Sequence, residues 1–202
     1  MTRKILVMLG LLAAVSAAGA PFLARQLEPE DPMALSEAGI GPLRVGDDFN
    51  RAERLAFRVA PDTAFSGIGC AGLDEIRYDG RLGSHPVGIM AMADQGRIQE
   101  IEATLYSPVQ VENIEACRAL RDQFAEPFIE RFGPFESHWE ISKPVSRELL
   151  ARTGPVTLLA RWFATGGSCY VSAHYGVANG DSVRLESSLA AALDEPPRPD
   201  SR

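Results

Sequence analysis

The chain has 202 residues, of which 46% are hydrophobic and 23% charged, and its formal net charge is −7. That balance suits one globular domain, or two small intimately packed halves, with enough apolar residues to bury a core. An acidic chain without a Lys/Arg run excludes the electrostatic footprint of a nucleic-acid binder.

The N-terminus opens with a short basic flank, Arg3-Lys4, then an apolar run from Ile5 to Val15, then the small residues Ser16-Ala17-Ala18. This is the pattern of a secretory signal peptide over residues 1–18, with cleavage after Ala18. The competing reading is an uncleaved anchor reaching to about residue 24, because the uncharged run from Ile5 to Ala24 is about 20 residues, enough to span a bilayer. In both readings the basic flank stays cytoplasmic and the remainder is exported, periplasmic or secreted, touching membrane only through that segment. Export changes how cysteine is read. Cys70, Cys117 and Cys169 all lie in the exported part, and an oxidising compartment permits one bridge with one thiol left over.

Residues 19–38, with Pro21, Pro29 and Pro32, read as a linker without regular structure. One α+β domain is expected over 39–193, with halves at about 39–106 and 107–193, followed by a disordered tail over 194–202. Its opening runs Gly39-Ile40-Gly41-Pro42-Leu43-Arg44-Val45-Gly46-Asp47-Asp48-Phe49. Leu43 to Val45 suits a short strand, Gly46 a turn, and Asp47 or Asp48 caps a helix through about Phe57. On these residues the chain resembles exported β-lactamase-inhibitor-like and small outer-membrane-assembly lipoprotein domains. Their repeats open with a strand, a glycine and a helix, followed by a β-meander. The resemblance covers about a dozen residues and the order of elements, and it departs from the pattern at Asp47, where a small hydroxyl residue is usual. It implies a fold tendency and carries over no functional residue.

Residues 59–73 form a Gly/Ala/Pro-rich loop holding Cys70. Three strand-like runs follow: Asp74 to Asp79, Val87 to Ala93 and Ile98 to Tyr106. The last places Ile101, Ala103 and Leu105 on one face and Glu100, Glu102 and Thr104 on the other, as in an antiparallel sheet wet on one side. Asp94-Gln95-Gly96-Arg97 is a hairpin turn. In the stretch from Val109 to Phe135, Ile114, Cys117, Leu120, Phe124, Phe128 and Phe132 recur at helical spacing. Glu112, Glu115, Arg118, Arg121, Asp122 and Glu126 fall largely toward water, and Gly133-Pro134 stops the helix. His138 to Ser142 suits a strand, and Val145 to Arg152 a short helix ended by Gly154-Pro155. Val156, Leu158, Ala160, Trp162 and Ala164 then alternate, Gly166-Gly167 makes a two-residue turn, and Cys169, Val171, Ala173 and Tyr175 alternate on the return. That loop length pairs Ala164 with Cys169 and Trp162 with Val171, both apolar sets on one face. A strand at Ser182 to Ser187 and a helical turn at Leu189 to Leu193 follow.

The expected architecture is therefore an antiparallel meander sheet with one long helix packed across it, or two tandem halves each of helix and hairpin. Cys117 on the helix stripe and Cys169 on the buried strand face then point at each other, so a Cys117–Cys169 disulfide is favoured over pairings that use Cys70.

No catalytic, cofactor or metal motif is found: there is no P-loop, dinucleotide fingerprint or zinc spacing. Cys70 is a candidate nucleophile only by its glycine-rich setting, and its glycines do not match the nucleophile elbow. His85, His138 and His174 lack ligand spacing, and each reads as structural or solvated. Glu100 and Glu102 read as a solvated strand face. Trp139 and Trp162 read as core. The expected function is a non-catalytic exported module of the bacterial envelope that binds another envelope protein or a small ligand on the open face of the sheet. The alternatives are a hydrolase or thiol enzyme with a spatially assembled site, and a structural envelope protein.

Overall fold

The computed structural model describes residues 31–70 and 72–176. The signal or anchor segment, most of the linker, the expected elements at Ser182–Ser187 and Leu189–Leu193, and the tail lie outside the described residues.

A three-stranded antiparallel sheet comes first: β1 (Leu35–Ser36), β2 (Gly39–Ile40) and β3 (Leu43–Arg44). β1 lies inside the stretch expected to be irregular linker. Its pairing with β2, Leu35 opposite Ile40, orders residues whose composition alone suggested none. Gly46, at φ +87°, turns the chain into helix α1 (Phe49–Val59). Asp48 is the cap, its side chain accepting from the Arg51 N–H at 3.0 Å. β4 (Phe65–Ile68) then occupies part of the expected loop and forms an edge strand against β5 (Asp74–Leu82).

β6 (His85–Asp94) and β7 (Arg97–Leu105) complete a meander, joined by a tight turn with Gln95 and Gly96 both at positive φ. Two consecutive residues of this kind give the twist that a two-residue hairpin needs. β8 (Val109–Gln110) pairs with the far end of β12. Helix α2 (Ile114–Phe132) follows, with Asn113 accepting from the Ala116 N–H at its start and Gly133 at φ +97° closing its end. The second meander is β9 (Ser137–Ser142), β10 (Ser146–Thr153), β11 (Val156–Phe163) and β12 (Ser168–Tyr175). The large sheet runs β4-β5-β6-β7-β12-β11-β10-β9 with every pairing antiparallel, so the two meanders meet through their last strands.

The described residues are thus mostly antiparallel sheet with two helices, so the covering layer is not the single long helix of the favoured expectation: the short helix expected through about Phe57 shares it. α1 contacts β3 and β5, and α2 contacts β10, β11 and β12. One core holds both: Ala52 and Ala56 of α1, and Cys117, Phe124 and Phe128 of α2, are buried with Ile76, Tyr78, Ile89, Ile101, Ala160 and Val171. Both helices therefore cover the same face, and the alternate side chains of the strands point away from them.

Three local expectations change. Val145–Arg152 is not a helix, because Ser146–Thr153 is β10. Leu149, Leu150 and Ala151 are apolar enough for either state. Pairing on both edges, Leu149 opposite Ala160 and Glu140, decides for the strand. Gly154-Pro155 is accordingly a hairpin turn, with Thr153 opposite Val156. The β11–β12 connection is four residues, 164–167, rather than two. Trp162 consequently faces Cys169, not Val171. A two-residue slip preserves which face each side chain occupies, so the apolar sets still coincide. On α2, Arg121 is buried rather than in water. Its guanidinium bonds Asp122 at 2.6 and 2.9 Å and lies 5.4 Å over the Phe135 ring.

Cys117 and Cys169 stand at disulfide distance, with Cα atoms 5.5 Å apart and both residues fully buried between α2 and the sheet. Cys70 is free and exposed. Among the described residues no helix is long and apolar enough to cross a membrane.

Candidate functional site

The helix-free face of the sheet carries a hollow of about 300 Å³ over β7, β12, β11 and β10. Strand register builds it. The row across its middle is Thr104, Ser172, Leu159 and Leu150, each opposite the next. The row on one side is Glu102, His174 and Thr157, and on the other Tyr170, Arg161 and Glu148. Phe163 and Tyr170 meet edge to face at one end, with ring centroids 5.6 Å apart. The hollow thus has apolar ground at Leu159 and Phe163, and polar groups at both ends.

Glu100, expected on a solvated strand face, is buried. His174 and Ser172 are each 7% exposed, and Glu100 is buried with them. The Glu100 Oε1 atom is 2.9 Å from His174 Nδ1, and His174 Nε2 is 2.7 Å from Ser172 Oγ. An ionised carboxylate can only accept, so with Glu100 ionised and the ring neutral the Nδ1–H donates to Glu100 and Nε2 accepts from the Ser172 hydroxyl. Glu102 flanks the same ring, its Oε1 atom 3.9 Å from Nε2, and takes the Thr104 hydroxyl at 2.8 Å. The faces of Glu100, Glu102 and His174 agree with the alternation. The burial of Glu100 and His174 does not, and Glu102 is half-buried beside them.

Glu148 is the least expected member, since its segment reads as a helix in sequence. It is 1% exposed. Its Oε1 atom accepts from both Lys143 Nζ at 2.9 Å and Arg161 Nε at 2.8 Å. Its Oε2 atom has no hydrogen-bond partner among the described residues. A buried carboxylate oxygen without a donor is costly and uncommon in folded proteins. The available signal was Gly154-Pro155, which separates two apolar runs of similar length and so fits a hairpin as well as a helix stop.

The other sequence candidates lie elsewhere. Cys70 does not line the hollow. His85 packs against Phe124 and His138 against Phe135, at ring separations of 6.0 and 5.1 Å, both as structural contacts. Trp139 was expected in the core and is instead 46% exposed on β9, the last strand of the sheet among the described residues. Trp162 packs against the core. Among the described residues no group of three or more His, Cys, Asp or Glu is arranged to hold a metal ion.

Chemically, Glu100, His174 and Ser172 have the connectivity of a carboxylate-oriented base next to a hydroxyl. Acyl transfer also needs donors for the developing oxyanion. Ser172 lies in a strand paired on both sides, with Leu159 and with Thr104, so its neighbouring backbone groups are engaged in the ladder. Arg161, the nearby cation, is committed to Glu148. Compared with protein-family models, curated proteins and solved structures, the chain matches none.

Proposed function

We propose that this chain is an exported, non-catalytic module of the bacterial envelope that binds a small ligand on the helix-free face of its sheet. The observation that carries this is the hollow of about 300 Å³, at the small end of ligand-pocket volumes, in which apolar ground is ringed by buried polar groups. Export is supported by the signal-like N-terminus and by a buried cysteine pair at disulfide distance. The strand–glycine–helix opening, followed by a meander, supports kinship with the β-lactamase-inhibitor-like and outer-membrane-assembly lipoprotein domains at the level of fold tendency. The test is a fragment titration followed by backbone amide shifts in the purified chain. Shifts should concentrate on β10, β11 and β12 and vanish in Leu159→Trp, which fills the hollow. Binding confined to the helical face would overturn the reading.

A hydrolase is the second reading, favoured by the Glu100–His174–Ser172 chain of contacts. It predicts turnover on a panel of generic esters and glycosides, lost on His174→Ala. Such turnover, abolished by that change or by Cys70→Ser, would displace the binding module as the conclusion.

A further inference from the structure

We infer that the occupant of the hollow is an uncharged saccharide, one sugar ring stacked on Tyr170 and its hydroxyls bonded between Glu102 and Arg161. This rests on the binding reading above and names the ligand class. The first support is where the aromatic side chains lie. Phe57, Phe65, Tyr106, Trp139 and Tyr170 are the exposed aromatics among the described residues. All but Phe57, which is on α1, belong to the helix-free face. Tyr170 is opposite Arg161, and Trp139 is opposite Leu150. Phe65 is opposite Arg77, in the row that continues through Met90 to Glu102. The Tyr106 ring lies 4.0 Å from where a Cβ on Gly88 would stand, and Gly88 is opposite Thr104. Tyr170 lines the hollow and stays 46% exposed although Phe163 braces it edge to face. The C–H bonds of a sugar ring, polarised by the neighbouring oxygens, meet the negative face of such a ring favourably.

The second support is hydrogen-bonding capacity that solvent reaches. The side chains of Glu102 and Arg161 are 17% and 41% exposed. Among the described residues Glu102 accepts one hydrogen bond, at Oε1 from Thr104, and Arg161 gives one, from Nε to Glu148. One carboxylate oxygen and the two terminal nitrogens of the guanidinium remain for a ligand. An acceptor and a donor fork on two sides of one hollow suit hydroxyls, each of which both donates and accepts. Charge gives an ionic ligand no advantage. Glu100 and Glu102 flank His174 on one side, and on the other Arg161 and Lys143 both bond Glu148. The charge of Arg161 is thus spent on Glu148, while its terminal N–H groups can still serve a neutral acceptor. An ion of either sign loses at one side what it gains at the other.

The experiment titrates the full chain with cellotriose, maltotriose and chitotriose, and with benzoate and benzylamine as ionic controls, followed by amide shifts. At least one trisaccharide should bind in the millimolar range or tighter, more tightly than either control, with shifts centred on Glu102, Arg161 and Tyr170. Its affinity should be the same at low and high salt, because no ion pair is there to be screened. Tyr170→Ala should weaken it about tenfold, through the lost ring surface. Glu102→Gln, nearly isosteric, should weaken it several-fold, through the lost charge-assisted bond. If one variant does not fold, the other and the comparison on the unmodified chain still decide. An ionic control binding in the hollow as tightly as the best trisaccharide would overturn the saccharide assignment and leave the binding reading standing. Saccharide affinity unmoved by Tyr170→Ala would do the same. No binding by any of the five in the millimolar range would overturn both.

Discussion

Tyr78 shows how much a single side chain contributes here. It is buried on the core face of β5, and its hydroxyl lies 2.9 Å from the Pro32 carbonyl and 3.3 Å from that of Ile40, tying the first described residues to the large sheet. Burial, and secondarily the charge of Asp31, pushes its ionisation well above the ordinary value of 10.0. Tyr175 is raised in the same direction, by burial first and by Glu37 second. The linkage follows from those directions. Above pH 10 the unfolded chain releases the phenolic protons while the folded chain keeps them, so stability from these groups is complete below pH 10 and falls as pH rises beyond it. Tyr78→Phe should therefore lower stability at pH 7 by about 1–2 kcal/mol, through the lost hydrogen bond and the orphaned carbonyl. It should also flatten the alkaline decline by up to about 1.4 kcal/mol per pH unit. Urea melts at pH 7 and between pH 10 and 11 measure both. The phenol's position was readable from the alternation of β5, but its partner at Pro32 was not, because 46 residues separate them.

At the scale of elements, the β10–β11 hairpin and the end of α2 are coupled through one glycine. Gly154 sits at φ +51°, and a Cβ there would lie 2.9 Å from Phe132 Cβ. Gly96, in the β6–β7 turn, is also left-handed at φ +74°, yet a Cβ there meets nothing within 4 Å. Gly96→Ala should cost about 1 kcal/mol, the conformational penalty alone. Gly154→Ala should cost about 2–3 kcal/mol, because Phe132 must also move. Paired thermal melts read the difference, and equal losses would show that the helix end does not constrain the turn. The periodicity of α2 locates that helix in sequence within a few residues, and the alternations of β5–β7, β11 and β12 locate those strands. β10 was misread because an apolar triplet such as Leu149-Leu150-Ala151 has no period of its own.

For the molecule as a whole, the bridge between Cys117 and Cys169 spans 52 residues and links α2 to β12, beside the seam where the two meanders join. Closing a loop of that length restricts the unfolded chain by about 4 kcal/mol on the loop-entropy account. The double variant Cys117→Ala with Cys169→Ala should lose about that much, and reductant should lower the urea midpoint of the parent while leaving the variant unmoved. Non-reducing peptide mapping gives the chemical check: a peptide bridged through Cys70 would overturn the pairing.

The sequence by itself determined what depends on neighbours three or four residues away: the helix stripe that turns Cys117 inward, the strand faces on which Cys169, Glu100 and His174 lie, the turn at Gln95-Gly96, and the acidic balance. Those signals are local because the helical and strand periods are local. Tertiary structure alone decided that β7 lies beside β12, that Ser146–Thr153 is a strand, and that Glu100 meets His174 across 74 residues. It also decided that the charged face forms a hollow, lined in part by Glu148, whose Oε2 atom has no hydrogen-bond partner among the described residues. Strand adjacency and burial are set by pairing and packing between distant segments, and no spacing within one segment encodes them.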